Sequence, residues 1–230
     1  MNDDWRLTEA QVSTARKIHA DLENWGFADR AFDFLKRQQF ESEAVCLLMV
    51  VAVDALYSTN LRYSPGRREE IARYIFQIRG RLLEPAEVTP NLVDDIAQQG
   101  STTANISFAS KFCHFFVSAN YPIYDSFVCA ALKAIIHPQE RRRMGIQIER
   151  YSDFYRICDW MTTLKGHACS SISVRQLDQC LWLMGQYLEF LKPRSKAINS
   201  QNEVWVLFKK HPPERFHKLL PDHLRNDSTG

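Results

Sequence analysis

The sequence predicts an all-α protein, and three observations lead there. Apolar residues recur at steps of three and four along nearly the whole chain, the pattern of helices with one buried face. No long alternation of apolar and polar residues marks a half-buried strand. Only 8 Gly and 9 Pro occur in 230 residues, and no Gly/Ser-rich linker divides them. The spacing accommodates roughly nine to eleven helices.

Val12, Ala15, Ile18, Leu22 and Trp25 form the first apolar face. A second, short helix with Phe32, Phe34 and Leu35 is expected after a break at Gly26. From about Glu41 to Leu61 the chain is apolar on nearly all sides, which predicts a helix in the middle of a bundle. It ends in Tyr57-Ser58-Thr59-Asn60. Ile71, Ile75, Ile78 and Leu82 mark one amphipathic helix, with Arg67, Arg68, Arg73, Arg79 and Arg81 on it or at its ends. Pro85 and Pro90 bracket a loop before a short helix from about Asn91 to Gln98. The small polar run Gly100-Ser101-Thr102-Thr103-Ala104-Asn105 precedes a Phe- and Ala-rich helix from about Ser107 to Ala119, which Asn120-Tyr121-Pro122 breaks. A helix from about Ser126 to Ile136 is closed by Pro138. Arg141, Arg142 and Arg143 form the one run of three basic residues. Phe154, Ile157, Met161 and Leu164 give the next helix, and Val174 through Leu191 the last strong one, ended by Pro193. Val204 to Phe208 reads as a short strand, and the tail after Pro212 as polar and loosely held. One domain over residues 1–192 and an extension over 193–230 are expected.

Composition bounds the function. There are 29 Lys+Arg against 27 Asp+Glu, a net charge of +2, so a nucleic-acid partner must be held by local basic patches. The acidic start, MNDDWRLTEAQ, is no secretory signal, and the apolar run Ala44–Leu56 is interrupted by Asp54 and too short for a bilayer. A soluble, cytoplasmic monomer without a membrane partner is the expectation. Six cysteines lack any C-x-x-C spacing, which predicts buried free thiols without metal. His114 and His167 have no acidic or Cys partner at useful spacing and read as structural or surface residues.

The segment Ile106–Leu132 combines a small polar turn, an apolar helix, a break, and Pro122-Ile123-Tyr124-Asp125 opening the next helix. Asp125 ahead of an apolar helix reads by itself as an N-cap. Together the segment resembles the helix–hairpin–helix DNA glycosylases, the superfamily of endonuclease III and the 3-methyladenine and 8-oxoguanine glycosylases. The resemblance implies an all-α helical bundle with its active site in a cleft between two helical halves. It implies a hairpin at about residues 92–119 and a catalytic turn at 122–126, with Asp125 as the essential aspartate. The fixed charge would stabilise the positive sugar of the transition state and orient a water. Ser107 falls where bifunctional members carry a nucleophilic lysine, so the resemblance implies a monofunctional enzyme. Lys111, one turn on, reads as a surface lysine of an amphipathic helix and, with Ser107, Tyr124 and Tyr57, as part of the pocket. Asn60 lies where the family wedges into DNA, within Val53–Asn60. Ser101, Thr102, Thr103 and Asn105 replace the family's Leu-Pro-Gly-x-Gly hairpin and would meet phosphate through hydroxyls and backbone N–H groups. Arg141, Arg142 and Arg143 would hold further phosphates or form a solvated charge run. The implied partner is double-stranded DNA carrying a modified base, with no cofactor. Repair of damaged purines and excision of hypermodified phage bases, such as glucosylated hydroxymethylcytosine, both fit. A non-catalytic DNA-binding module and a helical protein-interaction domain are the alternatives.

Overall fold

The computed structural model describes residues 7–84, 88–100, 103–163, 172–192 and 202–225, and no strand occurs among them. In chain order the first helices are α1 (Glu9–Ala20), α2 (Glu23–Lys36), α3 (Glu43–Tyr57), α4 (Arg67–Gln77), α5 (Arg79–Leu83), α6 (Pro90–Ala97) and α7 (Ile106–Phe112). Then come α8 (Ser126–Ile135), α9 (Pro138–Arg143), α10 (Tyr151–Thr163), α11 (Val174–Phe190), α12 (Glu203–Lys210), α13 (Glu214–His217) and α14 (Asp222–Arg225). The chain divides into two compact units, one of residues 1–24 with 125–230 and one of residues 25–124. No described helix is long and apolar enough to cross a membrane.

In the first unit α11 is the central element, against which α1, α8, α10 and α12 pack. Ser173 and Gln176 start it with a reciprocal cap, each side chain accepting the other's backbone N–H at 3.2 and 3.0 Å. Leu177, Leu181, Leu183, Met184 and Tyr187 are buried along it. Trp205 of α12 donates its indole N–H to Gln186 at 2.8 Å, which satisfies a buried polar pair. Tyr187 lies among Phe190, Phe208 and Phe216, with centroids 5.1 to 6.2 Å away.

Two expectations for this unit are corrected. Residues 204–208 are helical, because Val204, Trp205 and Phe208 are buried at helical spacing and Asn202 caps the start. A five-residue apolar run does not distinguish the two periods. The tail after Pro212 is packed: Phe216, Leu219 and Leu220 are buried, and the Leu219 carbonyl accepts from Gln11 of α1 at 3.3 Å.

The second unit also departs from expectation locally. Gly26 lies inside α2, and the break falls at Asp21–Leu22. Helix α3 is not buried all round, since Leu48 and Leu56 are 57% and 44% exposed. Cys46, Met49, Val50 and Val53 form its inner face, and burial pushes the Cys46 thiol up to about 11. The helix of Ile71–Leu82 divides at Ile78 into α4 and α5. Helix α7 ends at Phe112 and widens into one π turn, Cys113–Val117. All five described cysteines are buried free thiols, and Cys169 lies outside the described residues.

Candidate functional site

Asp125 is the N-cap of α8. Its backbone is extended (φ −141°, ψ 151°), and its Oδ1 accepts the Phe127 N–H at 2.8 Å. The carboxylate is half-buried, and α8 is seated on α11 at a close crossing. A Cβ added at Gly185 of α11 would lie 1.9 Å from the Phe127 carbonyl oxygen. Only glycine lets the first turn of α8 approach so near.

Within the unit of residues 25–124, the segment Tyr121–Tyr124 is held by α7 and its π turn. Ser110 Oγ accepts the Tyr124 N–H at 2.9 Å, and Lys111 Nζ donates to the Tyr124 carbonyl at 3.4 Å. His114 Nδ1 lies 2.7 Å from the Tyr121 carbonyl; a carbonyl only accepts, so Nδ1 carries the proton. The Tyr121 hydroxyl accepts the Thr89 N–H at 3.3 Å. Tyr121 and Ile123 are buried, which anchors the turn from its apolar side. His114, expected to be structural or at the surface, is structural, and Ser110 is a turn-holding residue that the sequence analysis does not single out. Their signal is the spacing Ser110-Lys111-x-x-His114, which puts three polar groups on one side of an otherwise apolar helix.

Lys111 is 1% exposed and is no surface lysine. Its ammonium donates to Ser107 Oγ at 2.7 Å, one turn back, and lies 5.7 Å from the Tyr57 ring centroid. Tyr57 itself packs on Trp25 and Phe115, centroids 5.2 and 5.3 Å apart. The structure thus brings together Ser107, Lys111, Tyr57 and the Tyr124 main chain. Phe112, Phe115 and Phe116 form the remaining aromatic shell of this unit with Phe32 and Phe40.

Helices α6 and α7 pack on each other across a compact turn. The Asn105 N–H donates to the Ala97 carbonyl at 2.9 Å and closes it. Asn105 Oδ1 caps α7 through the Phe108 N–H, and its Nδ2 donates to the Thr59 carbonyl, both at 2.9 Å. The side chain of Asn105 is therefore engaged in building the turn. Thr103 is exposed, and its carbonyl accepts from Arg67 at 2.9 Å. Ser101 and Thr102 lie outside the described residues.

The turn after α3 is organised by Asp54, a further residue that its local sequence does not single out. Asp54 is 1% exposed, and its Oδ1 accepts from Thr59 Oγ1 at 2.8 Å and the Leu61 N–H at 2.9 Å. Its Oδ2 accepts from both Nε and Nη2 of Arg68. This fixes Ser58 and Asn60 in the left-handed region, at φ 50° and 66°, and leaves Asn60 exposed. Burial pushes the Asp54 carboxyl up, but the bonds from Arg68, Thr59 and the Leu61 N–H outweigh it and hold it below its ordinary value. A depressed folded pKa stabilises the protein fully above the unfolded value, near 4, and that contribution disappears as pH falls through the folded one. Asp54→Asn is expected to cost about 2–3 kcal/mol at neutral pH, by denaturant unfolding. It should also flatten the acid limb of stability below about pH 4. An unchanged acid limb would take Asp54 out of that role.

Arg141, Arg142 and Arg143 form the last turn of α9, where the helix dipole favours cations. Arg141 spends its Nε–H on the Ile136 carbonyl at 3.2 Å, whereas Arg142 and Arg143 are exposed. Arg141 and Arg142 share a concavity of about 430 Å³ with Pro138, Gly145, Ile146 and Gln147, and Arg143 does not line it. Among the described residues no group of three or more His, Cys, Asp or Glu is placed to hold a metal ion.

No curated protein and no solved structure matches the chain. Residues 11–120, just under half of it, match the model of the family HI_0787_N, described as an N-terminal domain. That similarity takes in α6, α7 and the turn between them and stops before the Tyr121–Asp125 segment that presents the carboxylate.

Proposed function

We propose that the protein is a monofunctional DNA glycosylase of the helix–hairpin–helix type. It would turn a modified base out of the duplex and hydrolyse its N-glycosidic bond, leaving an abasic site. The observation that supports this best is the half-buried Asp125 carboxylate, fixed at the start of α8 by its bond from the Phe127 N–H. A carboxylate so fixed can stabilise a developing oxocarbenium ion and orient the attacking water. The compact turn between α6 and α7 and the exposed Asn60 fit a duplex-gripping surface. Incubation with host and phage genomic DNA, followed by alkali or heat, tests the reading through strand breaks at abasic sites. Breaks in phage DNA bearing glucosylated hydroxymethylcytosine would assign a defence role, and breaks in host DNA with damaged purines a repair role. Salt-dependent duplex binding without base release would leave a DNA-binding module. Neither would leave a protein-interaction domain.

The burial of Lys111 favours a second reading, in which its amine attacks the sugar and forms a Schiff base. Its Nζ already donates to Ser107 Oγ at 2.7 Å and to the Tyr124 carbonyl at 3.4 Å, and attack on a sugar would have to give up both bonds. Borohydride treatment during turnover is therefore expected to give no cross-link to DNA. A trapped adduct that Lys111→Ala removes would make Lys111 the nucleophile and the enzyme bifunctional.

A further inference from the structure

We infer that a cavity of about 520 Å³ within the unit of residues 25–124 binds a small organic anion with an apolar body, of the class of medium-chain and aromatic carboxylates and sulfonates. The inference goes beyond the glycosylase reading and does not depend on it.

Three helical segments end at this cavity: α2 at Lys36, α5 at Leu83 and the π turn at Val117, and these end residues line it. Its floor is formed by Phe40, Leu82 and Phe116, all buried. The Phe40 and Phe116 rings both lie against Phe112, with centroids 6.2 and 5.2 Å away, so the core braces the floor. The backbone that places Phe40 is unusual. Gln39 and Phe40 are consecutive left-handed residues, at φ 51° and 56°, and neither is glycine. Strain of this kind persists only where the surroundings over-determine it. Here the reversal after α2 returns the chain to the core and seats the Phe40 ring in the cavity.

Charge selects the ligand. Lys36 and Arg37 are exposed and line the cavity, and among the described residues neither is in an ion pair, although Asp33 lines it one turn back on α2. The α2 dipole accounts for cations at this end of the helix, but not for an apolar floor beside them. Two cations against one acid favour an anion, and the buried rings and leucine favour an apolar body. The volume lies within the range of small-molecule sites, roughly 300–1,000 Å³. Nine residues line the cavity, against roughly 20–30 a side in a stable protein interface, which favours a small ligand over a protein partner.

The test uses the full chain and anilinonaphthalene sulfonate, an aromatic anion that fluoresces in apolar surroundings. Wild type is expected to bind it saturably at one site, with octanoate displacing it and octanol at equal concentration leaving it bound. Lys36→Gln combined with Arg37→Gln keeps the floor and should bind the probe about tenfold more weakly. Leu83→Glu sets a carboxylate on the cavity wall, at a residue 47% exposed, and should abolish binding. Arg30→Gln, on α2 but outside the cavity, should bind as wild type does. Thermal midpoints of every variant show that the probe reads the cavity and not loosened structure. Equal binding by wild type and the double variant, or no binding by wild type, would overturn the inference. Displacement by octanol as strong as by octanoate would overturn it too, since the charge would then go unread. If Leu83→Glu does not fold, the double variant decides. A wild type that dimerises beside a monomeric Leu83→Glu would make this face an interface between copies and remove the ligand.

Discussion

Asp125→Asn is expected to lower base release from substrate DNA by about 10²–10³-fold while fold and duplex affinity stay near wild type. The observed cap and the proposed catalytic role of Asp125 separate cleanly in this variant. Asparagine keeps a carbonyl oxygen that accepts the Phe127 N–H now bonded at 2.8 Å, and it caps helices about as well as aspartate. What it removes is the charge that the proposed mechanism sets beside the developing oxocarbenium ion. Asp125→Ala should lose the cap as well, at about 1 kcal/mol of stability. Quantifying abasic sites under single-turnover conditions, alongside thermal midpoints, distinguishes cap from catalyst. If Asp125→Asn retains more than about a tenth of the wild-type rate, the charge is not needed and Asp125 is only a cap.

Gly185→Ala is expected to destabilise the protein by about 1–3 kcal/mol, a fall in thermal midpoint of about 2–12 °C. The new Cβ would lie 1.9 Å from the Phe127 carbonyl oxygen and 2.5 Å from its carbon. Those are backbone atoms and cannot swing aside as a side-chain tip would, so α8 must move away from α11. The displaced turn is the one Asp125 caps, so base release should fall further than the loss of folded protein explains. Gly80→Ala is the control, since a Cβ there meets nothing within 4 Å. Equal midpoints for the two variants would mean that α8 and α11 do not cross so closely.

Much of the helical layout was legible because burial of one face imposes a spacing that survives in the sequence. Helices α6, α8, α10 and α11 fall within a few residues of their expected spans. The errors share a physical cause. Residues 204–208 are too short a run to reveal their period, and the tail's Phe216, Leu219 and Leu220 find their partners far away in sequence. Gly26 looked like a break because glycine is a poor helix former, yet a single one costs only about 1 kcal/mol inside a packed helix.

The site divides in the same way. The sequence by itself determined that helices make up the described fold and that Asp125 stands at a helix start, since periodicity and capping are local. Only the tertiary structure decided that Lys111 is buried against Ser107, that Ser110 and His114 hold the turn, and that Asp54 is spent on Arg68. It also decided that Arg67 is buried and donates to the Thr103 carbonyl. The burial and pairing of a charge depend on neighbours distant in sequence, and a charged residue carries the same local signature on a solvated face as in a core.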